Sequence, residues 1–141
     1  MKEKDIESTI KHSKNYLEMA LRNDRRTRIN KPDGYGKRTG ECGDTIEMFL
    51  SVFEGYIDRV FFETDGCMNT AACSNTVAYL AEGKTVDDAW KIMAEDIIDY
   101  LETLPVEEAH CAELAAGAFY LALSDYRETR KAPWKKIYRN N

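Results

Sequence analysis

The sequence predicts an α+β fold: an N-terminal helix, a three-stranded antiparallel sheet, then several packed helices. Three observations lead there. Near the start, Ile6, Ile10, Leu17 and Leu21 recur at helical spacing among charged residues. Further on, residues 44–53 alternate apolar and polar, and residues 56–63 are rich in aromatic and β-branched side chains, with Glu54-Gly55 as the turn between them. After Gly66 the character changes to helical.

Taken in order, Asp5 to Arg22 reads as an amphipathic helix. Residues 23–40 form a polar loop with the turn Pro32-Asp33-Gly34, leading into a short strand near Tyr35 to Glu41. The basic residues of this region, Arg22 to Arg38, read as a solvated loop, with partner docking as the lesser alternative. In the second strand Ile46, Met48, Leu50 and Val52 share one face. Met68 to Ala81 reads as a helix stopped by Glu82-Gly83. Thr85 is an N-cap with Asp87 and Asp88 in the first turn, and its helix should reach about Met93. A further helix spans Asp96 to Thr103 before Pro105, and a long one Glu107 to Tyr126. The whole, 1–141, reads as one domain: helix and variable loop 1–34, sheet 35–65, helical part 66–126, and a basic tail 127–141 that holds Pro133 and Trp134.

The net charge of −5 and pI of about 5.1 argue against nucleic acid as a partner. The apolar stretch Ala115 to Leu123 is too short to cross a bilayer, so no membrane partner is expected. The charged start, Met1 to Asp5, does not read as a secretory signal, which points to the cytoplasm. There, disulfides are the lesser explanation for four cysteines (42, 67, 73 and 111) that include no Cys-x-x-Cys pair. Metal binding, thiol chemistry or core packing remain.

Cys42 sits in Gly40-Glu41-Cys42-Gly43-Asp44, Cys67 follows Gly66 at the turn into a helix, and Cys111 follows His110 near the start of the last helix. All three lie at element ends. Thiolates are the usual ligands of iron–sulfur clusters, and helix N-termini favour the thiolate, which would benefit Cys67 and Cys111. If Asp44 continues the strand, it faces the same side as Cys42 and offers an oxygen donor that suits cluster iron poorly, so a cluster there would be labile. His110 and Cys111 diverge by about 100° inside a helix, which makes His110 an exchangeable or supporting partner. Cys73 lies about 240° and about 9 Å along the helix from Cys67 and reads as core packing. His12 reads as structural, and Asp44 taken alone is as well explained by a turn.

These motifs, with Gly83-Lys84-Thr85-Val86-Asp87-Asp88-Ala89, Leu104-Pro105, His110-Cys111-Ala112-Glu113-Leu114-Ala115 and Asp125-Tyr126, together resemble the U-type iron–sulfur cluster scaffold family, IscU and the N-terminal domain of NifU. The resemblance runs from about Asp33 to Tyr126. It implies an α+β fold with a three-stranded sheet, Cys42, Cys67 and Cys111 as cluster ligands, Asp44 as the aspartate whose replacement traps clusters, and His110 as the histidine before the third cysteine. It implies a PLP-dependent cysteine desulfurase as sulfur donor, with Cys111 as the persulfide acceptor. It also implies a transient [2Fe–2S] or [4Fe–4S] cluster passed to apo-proteins, zinc in the cluster-free form, and a carrier that is not an enzyme. Leu104-Pro105-Val106-Glu107-Glu108 departs from the family's Leu-Pro-Pro-Val-Lys segment, which argues against recognition by a dedicated Hsp70-type chaperone. Cys73 stands where serine is usual. Two other readings of the same residues are a thiol or sulfur-transfer enzyme using a Cys/His pair, and a structural zinc domain.

Overall fold

The computed structural model describes residues 12–132; the expected helical residues before His12, and the tail with Pro133 and Trp134, lie outside them. Helix α1 (Lys14–Leu21) is capped by Ser13, whose Oγ accepts the Tyr16 N–H at 3.0 Å. Strands β1 (Gly34–Thr39), β2 (Thr45–Phe53) and β3 (Tyr56–Thr64) form one antiparallel sheet in that order. The helices α2 (Met68–Ala81), α3 (Val86–Ala89), α4 (Ala94–Leu101) and α5 (Ala109–Lys131) follow, with a 3-10 turn at Val106–Glu108 leading into α5. The predicted order of elements holds.

Three helices differ from expectation. α1 begins only at Lys14, because Ser13 is extended and caps it, so the helix expected over Asp5 to Arg22 does not run through Ser13. α3 stops at Ala89 because residues 91 and 92 tighten into three-residue bonds (Lys91 N–H to Asp88 O at 3.0 Å, Ile92 N–H to Ala89 O at 3.2 Å). Met93 is then extended and starts α4, its N–H held by the Asp96 carboxylate at 2.8 Å. α5 runs five residues past Tyr126, to Lys131, with Arg130 and Lys131 at the negative end of the helix dipole.

The loop after α1 does more than carry charge into solvent. The Arg25 guanidinium grips Glu82 with two bonds of 2.6 and 2.9 Å, and its carbonyl accepts the Phe62 N–H at 2.9 Å. The loop therefore covers the free edge of β3, which would otherwise present unpaired backbone groups. At the opposite edge the Tyr35 N–H donates to the Asp125 carboxylate at 2.9 Å. The core lies between sheet and helices, around Tyr16, Ile46, Met48, Leu50, Phe62, Val77 and Phe119. α2 is buried almost all round. Ser74 donates to the Thr70 carbonyl and Thr76 to that of Ala72, while Asn75 Nδ2 caps α1 through the carbonyls of Met19 and Arg22 and its buried Oδ1 finds no partner among the described residues.

Candidate functional site

Three chain segments converge where α5 begins. The first is the β1–β2 connection. Gly40 N–H donates to Asp44 O at 2.9 Å and Gly43 N–H to Gly40 O at 3.0 Å, with Gly43 at φ +93, a turn that glycine adopts freely. Cys42, Gly43 and Asp44 thus belong to a hairpin loop. Strand alternation does not orient Asp44 as the sequence suggests. The exposed Cys42 lines a cleft of about 460 Å³ with Arg38, Gly40, His110, Glu113 and Leu114; the half-buried Asp44 is not among its lining residues.

The second segment is the start of α2, where Cys67 is the exposed N-cap. One turn on, the buried Thr70 places its Oγ1 3.5 Å from the Cys111 sulfur. The third is the start of α5. His110 Nε2 lies 3.7 Å from Cys111 Sγ, although the two residues are adjacent in a helix. The divergence expected inside a helix does not keep the two apart at this first turn of α5.

Burial pushes the Cys111 thiol up to about 11; the Glu108 carboxylate and Cys67 add to the rise and the Thr70 hydroxyl opposes it. This reverses the expectation that a helix start favours the Cys111 thiolate: at 1% exposure, desolvation outweighs the dipole. Cys67 also raises the thiol of Cys73, so Cys67, Cys73 and Cys111 lie within electrostatic reach of one another. Cys73 itself is fully buried in the core, where burial drives its thiol far up, in keeping with a packing role. Tyr16 of α1 closes the inner side. Its hydroxyl donates to Asn69, and burial first, then these three cysteines, push it to about 12. His12 stacks on Tyr16 at 4.0 Å and bonds Thr103, the structural role expected of it.

Sequence reasoning missed Glu108. Its Oε1 lies 3.5 Å from Cys111 Sγ and 3.8 Å from His110 Nε2. The signal was a carboxylate three residues before a cysteine, one turn of helix. The arrangement offers two open thiols, one sheltered thiol, an imidazole and a carboxylate. A thiol at about 11 instead of about 8.5 carries on the order of a few hundredfold less thiolate at neutral pH. Iodoacetamide at pH 7.5 should therefore label Cys42 and Cys67 well before Cys111 and Cys73, as read by peptide mass spectrometry over time. Equal rates for Cys111 and Cys42 would contradict this account of its burial.

The model of the NifU-like N terminal domain matches residues 13–133. The chain belongs to that family. Among relatives of this NifU-like domain, the iron–sulfur cluster assembly scaffold protein IscU of Escherichia coli K12 is 38% identical over 92 residues, 64% of this chain and 71% of the relative. IscU 1 of Archaeoglobus fulgidus is 34% identical over 100 residues, 70% of this chain, and the match spans 65% of that relative's length. A NifU-like N-terminal structure from Brucella abortus aligns with a TM-score of 0.67 at 19% identity, covering 82% of this chain and 94% of that one. At that identity the likeness shows a shared fold. Among the described residues no helix is long and apolar enough to cross a membrane.

Proposed function

We propose that this protein is a carrier, not an enzyme, on which a transient [2Fe–2S] or [4Fe–4S] cluster is assembled and then passed to apo-proteins, with residues 1–141 acting as one scaffold domain. The observation that carries the reading is the convergence at one place of Cys42, on a glycine-flanked loop, Cys67, at a helix start, and the His110–Cys111 pair, in a member of the NifU-like family. Cys42, Cys67 and Cys111 are the cluster ligands. Asp44, two residues from Cys42 in the same loop, is the oxygen donor, and His110 is the exchangeable one. Sulfur arrives from a PLP-dependent cysteine desulfurase as a persulfide on Cys111. This thiol must first lose a proton, for which His110 and Glu108 lie at hand. Zinc, which accepts the same thiolate and imidazole donors, fills the cluster-free site. Four unpaired cysteines suit a reducing compartment, and we assign the cytoplasm. The acidic Glu107-Glu108 pair in the turn before α5 disfavours a dedicated Hsp70-type chaperone.

Anaerobic reconstitution with ferrous iron, sulfide and thiol tests the proposal. It should yield a brown protein with acid-labile sulfide, which the Cys42→Ser, Cys67→Ser and Cys111→Ser variants each lose. Colourless wild-type protein that holds only metal would favour the second reading, a sulfur-accepting or zinc-binding protein without cluster transfer, which the closeness of Glu108, His110 and Cys111 supports. Asp44→Ala removes the poorly matched oxygen donor, so the variant should hold its cluster several-fold longer during transfer to an apo-ferredoxin. Faster loss than wild type would refute the role given to Asp44.

A further inference from the structure

Glu108, His110 and Cys111 place one oxygen, one nitrogen and one sulfur atom within 4.8 Å of one another. The edges of that triangle are 3.5 Å (S to O), 3.7 Å (S to N) and 3.8 Å (N to O). A tetrahedral ion with bonds of about 2.3 Å to sulfur and about 2.0 Å to nitrogen and oxygen sets the two sulfur edges at about 3.5 Å and the third at about 3.3 Å. Two edges already fit, and the third closes if the imidazole moves by about half an ångström. That ring is free to move, with its side chain 46% exposed.

All three donors come from one stretch of four residues, at the junction of the 3-10 turn and α5. Their spacing therefore does not depend on the β1–β2 loop or on the start of α2. The buried Cys111 fixes the sulfur, held from the other side by Thr70.

We propose that Glu108 is a metal ligand and that Glu108, His110 and Cys111 by themselves capture a single divalent ion, ferrous iron as cargo or zinc as its competitor. This deepens the scaffold reading and rests on it for the ion's purpose: the ion lands before Cys42 and Cys67 engage. On binding, Cys111 gives up its thiol proton to solvent and a metal–sulfur bond takes the place of the S–H···O contact with Glu108. Three donors leave one tetrahedral position for an incoming sulfur or a further cysteine.

Cobalt(II) is the probe, because a bound thiolate gives it an intense near-ultraviolet charge-transfer band. The full chain carrying Cys42→Ser and Cys67→Ser, titrated anaerobically, should bind one cobalt with that band. Adding Glu108→Gln should weaken binding at least tenfold, the scale on which even a supporting residue acts. Glu107→Gln in the same background should change nothing. Unchanged circular dichroism melts would show that each variant folds. Absence of the band in the double variant, equal affinity with and without Glu108→Gln, or equal losses from Glu107→Gln and Glu108→Gln would each overturn the proposal. The scaffold reading is judged separately, by acid-labile sulfide in reconstituted wild type.

Discussion

Gly36→Ala should lower the thermal midpoint of the metal-free protein by roughly 10 °C, an expected loss of about 3 kcal/mol for a chain of this size. A Cβ at position 36 would lie 2.4 Å from the Ala118 carbonyl oxygen, 2.5 Å from the Ala122 nitrogen and 2.8 Å from the Leu121 Cβ. Two of these are backbone atoms of α5 and cannot swing aside as a side-chain tip would. Gly34 meets the same helix, 2.4 Å from the Ala122 carbonyl oxygen. β1 thus rests directly on α5 through a Gly-x-Gly pair, and a methyl there must push strand and helix apart. The loss outweighs the ~0.4–1 kcal/mol that alanine gains by restricting the unfolded chain. The separation also reaches the site, because β1 leads into the Cys42 loop and α5 carries His110 and Cys111. Cluster retention should fall with stability. Gly40→Ala is the control: its Cβ finds only Leu114 and Cys42 side-chain atoms at 3.5–3.7 Å, so a change within about 0.5 kcal/mol is expected. Melts by circular dichroism decide the matter. A Gly36→Ala midpoint within a degree or two of wild type would show that β1 and α5 are not in fixed contact.

How much of this was legible beforehand follows the range of the interactions involved. The start and end of α2 came from local stops, Gly66 before it and Glu82-Gly83 after it, and the helix spans the predicted Met68–Ala81. β2 and β3 came from alternation and the Glu54-Gly55 turn, again local signals. The placing of all three candidate cysteines at element ends was legible for the same reason. The part played by Arg25 was not, because its partner Glu82 is 57 residues away and a basic loop looks the same whether or not an edge strand lies beneath it. Strand alternation does not extend to Asp44, because β2 starts only at Thr45, after the turn in which Gly43 takes a positive φ. The short α3 reflects competition for one N–H, that of Met93, which the Asp96 side chain wins. The protonation of Cys111 depends on Thr70, 41 residues away, and on burial that no local pattern measures.

Between about pH 8 and pH 11 the metal-free protein should lose on the order of 5 kcal/mol of stability, a large part of the total for a domain of this kind. The folded state raises the Cys111 thiol to about 11 and that of the fully buried Cys73 further still. In the unfolded chain both ionise near 8.5. Above that pH the folded state holds more protons than the unfolded one, so stability falls as pH rises. The contribution of Cys111 is fully present below about 8.5 and is gone once the pH passes about 11, and that of Cys73 persists to higher pH. Each thiol supplies a slope of up to about 1.4 kcal/mol per pH unit in that window. Tyr16, raised to about 12, adds to the decline only once unfolded tyrosines ionise near 10. Urea titrations at several pH values, under reductant and chelator, measure the slope directly. Cys73→Ala should make it shallower by about 1.4 kcal/mol per pH unit whatever the substitution does to stability at neutral pH. An unchanged slope would mean that Cys73 titrates normally in the fold. The same balance governs the site: an ion bound at Cys111 must displace the proton that burial retains, so metal affinity should climb with pH until that thiol ionises unaided.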